Sequence, residues 1–231
     1  MWNVTWHDEL DSTNSEAVRR IVSGDGVGTV IAAKHQIEGR GRLDRQWEDT
    51  GGSLLCTVVL PLADPPFAMQ ATLALAALDA IEELAANRLR LKWPNDLIGA
   101  DGKVGGMLAE RCGSLVAVGI GINLQGSAVP VSVRHLASSI EEESGQVPPT
   151  AERLLEVLLR RLSLGLQRSD WHERYEAALA TIGEHVRVEG VSGSFEGRAL
   201  GIGDGGELHV EVDGKLRVVA AGDVIHLRTV G

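Results

Sequence analysis

Hydrophobic and polar positions recur with clear periods at the start of the chain and predict its first elements. Residues 2–7 (WNVTWH) alternate between apolar and polar side chains, and residues 28–35 open with β-branched positions, so both segments are predicted strands. Residues 14–23, between them, are predicted to form a helix. Thr13, followed three residues later by Glu16, has the pattern of a capping box and is predicted to start that helix.

A long loop divides the next strands and helices. Residues 37–52 have no apolar period and contain four glycines and three arginines, so we predict a loop that is long for a compact domain, a common sign of function. The further predictions are a buried strand over 53–60, a helix over 67–87, three short strands within 89–124, and a long helix after Thr150 that is interrupted at 165–169 and restarts at Asp170.

The pattern changes after Gly183. Residues 184–231 contain five short alternating runs separated by Gly and Asp turns, a spacing typical of a small β-barrel. The chain is therefore predicted to be α+β, with a mixed, largely antiparallel sheet and flanking helices over residues 1–183. A small β-barrel domain is predicted over residues 184–231.

Composition and charge narrow the classes of function. The chain has 231 residues, of which 44% are hydrophobic and 23% charged, as in ordinary globular proteins. The 22 basic and 32 acidic residues give a formal net charge of −10, which disfavours general binding to nucleic acid or to anionic membranes. Cys56 and Cys112 have no metal-ligand spacing, so no metal site and no disulfide scaffold are predicted. The absence of a signal-peptide pattern predicts a cytoplasmic protein.

The segment GRGRLDRQW, residues 39–47, carries the strongest sign of chemistry. Three arginines lie among glycines in an otherwise acidic protein, and guanidinium groups match phosphate oxygens while glycines let the backbone approach an anion. Trp47 is able to cover an aromatic or apolar ligand. The alternative is a solvated loop that happens to contain arginines.

Two further motifs follow on the predicted strands. KWPND, residues 92–96, ends a strand in a sharp turn that presents Asn95, although it is also simply a good turn sequence. Lys103 precedes Gly105 and Gly106, and paired glycines inside an apolar strand often mark the close approach of a ligand. Lys103 is equally compatible with an ordinary hairpin turn.

Other candidates are the strand VGIGIN, residues 118–123, and the polar group Ser12, Thr13 and Asn14. Glycines on neighbouring strands leave a flat floor for a ring system, or else allow tight packing. The three polar residues either cap a helix or offer hydroxyl and amide groups to a ligand, and Gln36 adds an amide. GIGDGG, residues 201–206, matches G-x-G-x-x-G but opens no helix, so it is not a dinucleotide site.

Residues 8–125 resemble the biotin protein ligases, because they carry five motifs in this order: STN, Q-x-x-G-R-G-R-x-x-R-x-W, KWPND, GKVGGM-L-x-E and GIGIN. The resemblance implies a fold similar to class II synthetases with an SH3-like C-terminal barrel. It also implies a reaction in which biotin and ATP, with Mg²⁺, give biotinyl-5′-AMP. A lysine of a biotin carboxyl carrier domain then receives the biotin. A homodimer is compatible with this resemblance.

The same resemblance implies a role for each matching residue. Lys103, Arg42 and Arg40 would offset the negative charge of the reacting groups and are the implied catalytic residues. The implied biotin ligands are Ser12, Thr13, Asn14, Gln36, Arg40, Gly41, Arg42, Lys103, Gly105, Gly106 and Gly121. The implied ATP and adenylate ligands are Arg42, Arg45, Trp47, Asn95, Lys103 and Asn123.

Two departures from the family are visible in the sequence. Asp44 stands where the family usually has glycine, two residues after the second arginine of the loop. Only about ten residues precede STN, too few for the DNA-binding domain that some relatives carry, so no sequence-specific DNA binding is expected.

Two rival functions remain open. A lipoate or octanoate ligase or transferase of related fold would make Cys112 the discriminating residue, because such transferases can use a cysteine nucleophile. A catalytically silent module that binds biotin would bind without consuming ATP, and the complete set of arginines counts against it.

Overall fold

The structure is a computed structural model that describes residues 1–43, 45–48, 50–190 and 193–227. Asp44, the departure from the family pattern in the arginine loop, lies outside the described residues. Two β-sheets and a set of helices form the fold, which is mixed α+β as expected. Across the described ranges, no helix is long and apolar enough to cross a bilayer.

The larger sheet has seven strands in the order β1-β2-β3-β7-β6-β5-β4. β1 and β2 pair in parallel, which requires the crossover that the helix Thr13–Val22 supplies, and every other pair of strands in this sheet is antiparallel. The strands are β1 (Asn3–Leu10), β2 (Thr29–Gln36), β3 (Ser53–Pro61), β4 (Arg90–Lys92), β5 (Asp96–Ile98), β6 (Lys103–Cys112) and β7 (Leu115–Asn123).

The helices cover the sheet and supply much of the core. α2 is buried on nearly all sides because it packs between the sheet, α4 and α5, which explains its run of alanine and leucine. α4 buries one leucine-rich face, as its period predicts. The helices are α1 (Thr13–Val22), α2 (Phe67–Ala85), α3 (Ile140–Ser144), α4 (Ala151–Gly165) and α5 (Trp171–Ala178).

The prediction of a capping box at Thr13 is wrong. Ser12 is the N-cap residue, with extended backbone and no side-chain cap bond, and Thr13 is already helical. The Thr13 backbone N–H donates to Gln36 Oε1 at 2.7 Å, so a residue distant in sequence satisfies it. Glu16 does not reach back to the helix start, because its carboxylate pairs with Arg19 and Arg20 instead.

The smaller sheet contains five antiparallel strands in the order β11-β10-β9-β8-β12, which confirms the five predicted strands. Closure into a barrel and a domain boundary at residues 183–184 stay predictions. The strands are β8 (His185–Gly190), β9 (Gly193–Ile202), β10 (Leu208–Val212), β11 (Lys215–Val219) and β12 (Asp223–His226).

The two sheets are joined through the KWPND segment. The indole Nε1 of Trp93 donates to Gly206 O at 2.9 Å, and the Trp93 backbone N–H donates to Thr181 Oγ1 at 3.1 Å. Trp93 and Thr181 are buried, and apolar residues of both sheets belong to one core cluster. His226 Nε2 of β12 lies 3.1 Å from the same Thr181 Oγ1, which places β12 beside the turn that follows β4.

Candidate functional site

A cavity of about 270 Å³ opens where the arginine loop, the start of α1, the turn between β4 and β5, strands β6 and β7, and β12 meet. Most of the residues that the sequence motifs single out line this one cavity. They are Ser12, Thr13, Asn14, Gln36, Arg40, Gly41, Arg42, Arg45, Trp47, Asn95, Lys103, Gly106 and Gly121.

Gly105 and Asn123 do not line the cavity. Gly105 faces away from it because successive residues of a strand point to opposite faces, and Gly106 faces inward. A Cβ at Gly105 would lie 2.7 Å from Gly121 O, so this glycine serves the close packing of β6 on β7. The buried amide of Asn123 donates to Ser138 O at 3.0 Å and holds the segment that follows β7.

One end of the cavity presents neutral polar groups on a fixed frame. The Thr57 hydroxyl lies 2.9 Å from Thr13 Oγ1 and 2.6 Å from Asn14 Oδ1. Asn14 Oδ1 can only accept, so the Thr57 proton goes to it and the Thr13 hydroxyl donates to Thr57. The lone pairs of Thr13 Oγ1 then face a ligand as acceptors. All three side chains are buried.

Glu110 connects this polar end to the arginine loop; it is the last residue of the GKVGGM-L-x-E motif, to which no site role was assigned from the sequence. Its carboxylate accepts from Asn14 Nδ2 at 2.8 Å and pairs with Arg40 Nη1 at 3.1 Å. Asn14 Nδ2 also donates to Leu108 O at 3.1 Å, which fixes the orientation of the amide. A Cβ at Gly119 would overlap Asn14 Oδ1, so glycine is required there.

The arginine loop brings cationic side chains to the other end of the cavity. Arg42 Nη1 donates to Asn95 Oδ1 at 3.3 Å and to Gly222 O at 3.4 Å. Burial lowers the pKa of Arg42 from its ordinary value, because the charged form loses hydration. Arg45 forms an ion pair with Asp223 of β12. The loop thus contacts both sheets.

Lys103 and Lys92 add positive charge beside Asp96. Lys103 Nζ lies 2.6 Å from Asp96 Oδ1 and 6.0 Å from the centre of the Trp47 ring. Burial lowers the pKa of Lys92, and the neighbouring Lys103 lowers it further, whereas Asp96 opposes the shift. Asp96 therefore balances several cations in this part of the cavity.

The turn that carries Asn95 is held by both helical and strand partners. Pro94 O accepts hydrogen bonds from Gln70 Nε2 of α2 and from the Tyr175 hydroxyl of α5, each at 2.9 Å. Asn95 Nδ2 donates to Met107 O at 2.8 Å. Asn95 Oδ1 consequently faces the cavity as an acceptor in a fixed position.

The Trp47 ring packs against the strand floor at Gly121. A Cβ at Gly121 would lie 2.8 Å from the Trp47 ring, so the absence of a side chain at Gly121 is what admits the indole. The Trp47 Nε1 is buried and has no hydrogen-bond partner within the described part of the chain. A buried indole N–H without an acceptor is costly, and a ligand acceptor in the cavity would satisfy it.

The smaller sheet contributes residues to the cavity, and none of them was assigned to the site from the sequence. Glu189, Asp223, Val224 and Ile225 line the cavity beside Arg45, although they lie far along the chain from every motif. Lys92 and Asp96 also line the cavity and belong to the KWPND motif. Their charges were the signal in the sequence that could have placed them in the site. No local signal identifies the β12 residues, because their place depends on how the two sheets dock.

Cys112 lies outside the cavity, near the end of β6. Burial raises the pKa of its thiol, and the Glu110 carboxylate raises it further. A raised pKa disfavours the thiolate that a nucleophilic cysteine needs. In the described ranges no group of three or more His, Cys, Asp and Glu side chains could hold a metal ion.

Comparison with known proteins connects this cavity to a family. Residues 9–127 match the biotin/lipoate A/B protein ligase family, and residues 181–227 match the biotin protein ligase C terminal domain. The first match spans the cavity motifs from STN to GIGIN, and the second spans the smaller sheet.

Similar proteins cover nearly the whole chain. A biotin--[acetyl-CoA-carboxylase] ligase of Mycobacterium tuberculosis is 36% identical, with 95% of this chain and 87% of the relative covered. A ligase of the same name from Paracoccus denitrificans is 32% identical, with 93% and 96% covered. The solved biotin protein ligase of Aquifex aeolicus in complex with biotin and ATP superposes with a TM-score of 0.87 at 26% identity, covering 99% of this chain and all of the other.

Proposed function

The chain belongs to the biotin/lipoate A/B protein ligase family, and from this premise we infer that it is an ATP-dependent biotin protein ligase. The enzyme activates biotin to biotinyl-5′-AMP and transfers the biotin to a lysine of an acceptor protein. One observation carries the inference: a neutral polar end and a cationic end share one cavity in a protein of net charge −10. Those two ends match the ureido ring of biotin and the phosphates of ATP.

The polar end supports binding of the ureido ring. Thr13 Oγ1 accepts an N–H of the ring, and its neighbours Ser12 and Gln36 supply further polar partners in the same wall. Gly106 carries no side chain into the cavity, which leaves room for a fused bicycle, whereas the space over Gly121 is taken by the Trp47 ring. The dithiolane of lipoate and the alkyl chain of octanoate have no N–H groups to use these partners, so the polar end favours biotin over both.

The cationic end supports the chemistry of the first step. The biotin carboxylate attacks the α-phosphorus of ATP, a phosphorus–oxygen bond forms to the carboxylate, and pyrophosphate leaves with the electron pair of the bond that breaks. Two anions must approach each other, so fixed positive charge lowers the barrier. Arg40, Arg42 and Lys103 supply that charge at the carboxylate and the α-phosphate, and Arg45 supplies it at the other phosphates.

The adenine and ribose are proposed to occupy the part of the cavity near Trp47 and Asn95. The Trp47 indole offers an aromatic surface and a buried N–H that lacks an acceptor in the described structure. Asn95 Oδ1 accepts from Arg42 at 3.3 Å and holds it beside the phosphates. Asn123 acts from outside the cavity by holding the segment after β7.

We propose that Mg²⁺ enters as the complex with ATP. Mg²⁺ is commonly held by one or two carboxylates together with substrate phosphates. The carboxylates that line the cavity are Asp96, Glu189 and Asp223. Asp96 is paired with Lys103, and Asp223 is paired with Arg45. Those pairs fit a role in which the ion stays mainly on the phosphates.

The second step transfers biotin to its acceptor. The neutral amine of the acceptor lysine attacks the acyl carbon of biotinyl-5′-AMP, an amide bond forms, the acyl–oxygen bond to AMP breaks, and the amine proton is released. We propose a biotin carboxyl carrier domain as the acceptor, in keeping with the names of the relatives.

The test is biotin-dependent release of pyrophosphate from Mg·ATP, with biotin, lipoate and octanoate offered separately. We expect release with biotin alone, followed by label on a lysine of a carrier domain. The Cys112→Ser variant is expected to retain wild-type activity, because the thiol lies outside the cavity and its pKa is raised. Release driven by lipoate or octanoate, or loss of acyl transfer in Cys112→Ser, would identify the rival function. Biotin binding without any pyrophosphate release would identify a silent binding module.

A further inference from the structure

The short helix α3 is a junction between segments that border the cavity. Ile140 is fully buried and anchors it, and the Ser139 hydroxyl accepts from the Glu142 N–H at its start. Glu141 Oε2 accepts from the Gly126 N–H at 2.9 Å, and Glu142 Oε1 accepts from Arg134 Nη1 at 3.0 Å. Two successive glutamates thus hold the chain that leaves β7.

Glu143, the third glutamate in succession, reaches in a different direction to the turn between β5 and β6. Its Oε2 accepts from the Ala100 N–H at 2.8 Å, and its Oε1 accepts from the Asp101 N–H at 3.0 Å. A Cβ at Gly99 would overlap the Glu143 carboxylate, so the turn sequence itself makes room for this contact. Both carboxylate oxygens are occupied by backbone of one turn.

That turn ends at Lys103. The Lys103 N–H donates to Leu136 O at 3.0 Å, and the Ser138 N–H donates to Lys103 O at 2.8 Å. A Cβ at Gly102 would lie 2.9 Å from Leu136 O, so the turn is closely packed against the same backbone. The backbone of Lys103 is therefore held on one side by residues 136–138. On its N-terminal side it is held by the turn whose N–H groups donate to Glu143.

We propose that Glu143 is a positioning residue for adenylate formation, which acts by fixing the turn that leads into Lys103. This inference rests on the proposed function. The Lys103 ammonium stands at the end of a flexible side chain, and its position depends on how firmly the backbone beneath it is held. Glu143 touches neither substrate nor the reacting atoms in this arrangement; it restricts the backbone from which Lys103 extends.

The chemistry of the carboxylate explains why glutamate fits this position better than glutamine. Two N–H groups point at two separate oxygens, and bonds from N–H to a charged acceptor are stronger than neutral ones. A glutamine would keep one acceptor oxygen and turn an NH₂ group toward the other N–H. Glu143→Gln is therefore expected to be intermediate between wild type and Glu143→Ala.

The decisive experiment is a double-mutant cycle between Glu143 and Lys103, read by single-turnover release of pyrophosphate. We expect Glu143→Ala to slow the step by about tenfold, within the range known for small misplacements of a catalytic group. The KM for biotin is expected to change by less than about twofold, because the polar end of the cavity is untouched. In the Lys103→Ala background the same substitution is expected to cost less than about twofold, since interacting sites are not additive.

Two further measurements separate positioning from a general loss of stability. Hydrogen exchange at the Ala100 and Asp101 amides is expected to rise in Glu143→Ala and to rise less in Glu143→Gln. Glu156→Ala is the matched control, because Glu156 lies on an exposed face of α4 and pairs only with the exposed Arg153 in the described structure. Its kinetics and amide exchange are expected to equal those of wild type.

The outcomes distinguish this inference from the proposed function. If wild-type protein releases pyrophosphate but Glu143→Ala matches it, or if the two substitutions are additive, Glu143 does not act through Lys103 and the inference is wrong. If wild-type protein releases no pyrophosphate with biotin, the proposed function fails and the inference fails with it.

Discussion

Replacement of Lys103 by alanine is expected to slow adenylate formation by about 100-fold or more and to leave the fold intact. The side chain of Lys103 is 38% exposed, and its ammonium pairs with Asp96 at 2.6 Å inside the cavity. The Lys103 side chain is partly exposed, so stability is expected to change little. The rate is expected to fall because one of the charges that offset the approach of two anions is gone.

The size of this effect follows from electrostatics. A unit charge about 4 Å from another contributes roughly 4 kcal/mol at an effective dielectric constant of ~20. Since ~1.36 kcal/mol is a factor of ten, the full value corresponds to about a thousandfold in rate. Partial exposure of Lys103 weakens its field and brings the expected loss closer to 100-fold. Asp96, left without its partner, adds uncompensated negative charge and acts in the same direction as the substitution.

The assay is single-turnover release of pyrophosphate in rapid mixing, with saturating biotin and Mg·ATP. Lys34→Ala is the matched control, because Lys34 pairs with Asp8 on an exposed part of the sheet and is expected to have no effect. The double variant Lys103→Ala/Asp96→Asn removes the unpaired carboxylate, and it is expected to be faster than Lys103→Ala alone. A Lys103→Ala rate within about fivefold of wild type, which corresponds to ~1 kcal/mol, would refute the electrostatic argument.

Two other predictions test the floor of the cavity and the surface electrostatics. Gly121→Ala is expected to raise the KM for ATP about tenfold, since the new Cβ would lie 2.8 Å from the Trp47 ring and displace it, at a cost of ~1.4 kcal/mol in binding. Gly26→Ala, where a Cβ meets open space, is the control, and an unchanged KM in Gly121→Ala would contradict the placement of Trp47. Hydrogen bonds from Arg19 lower the pKa of Asp11 from 3.8 to about 2, so the ionised carboxylate stabilises the fold above its ordinary pKa, and this contribution is lost as the pH falls toward 2. Asp11→Asn is therefore expected to lower the free energy of unfolding by less than ~1 kcal/mol at pH 7, because the Asp11–Arg19 pair is largely exposed. Urea unfolding is expected to show a progressively smaller difference from wild type below pH 4. A difference that does not depend on pH would be inconsistent with this pair.

Elements with a strong hydrophobic period could be predicted from the sequence, and short ones fixed by distant contacts could not. The apolar run of β3 and the leucine face of α4 needed only local pattern. β5 has three residues, too few for a period, and exists because it pairs between β4 and β6. α3 likewise has one buried residue, and its glutamates are held by backbone and side chains elsewhere in the chain.

The residues of the candidate site also divide into those that sequence motifs indicate and those whose role depends on contacts with distant parts of the chain. Motif residues in the arginine loop, KWPND and β6 could be assigned to one site because the motifs, taken together and in order, resemble one family, although each motif alone also fitted a structural role. The hydroxyl arrangement at Thr13 could not be predicted, because Thr57, 44 residues away, decides it. Gly105 was grouped with Gly106 because the two glycines are adjacent in the sequence. The alternation of side-chain directions along β6 separates them: Gly106 faces the cavity, and Gly105 packs against β7.

The contacts from the arginine loop to β12 make the site a property of two distant parts of the chain. Arg45 pairs with Asp223 and Arg42 donates to Gly222 O, so the loop cannot leave the cavity without breaking contacts to the smaller sheet. A substitution in β12 is therefore expected to act as a defect in substrate affinity although it lies outside every motif.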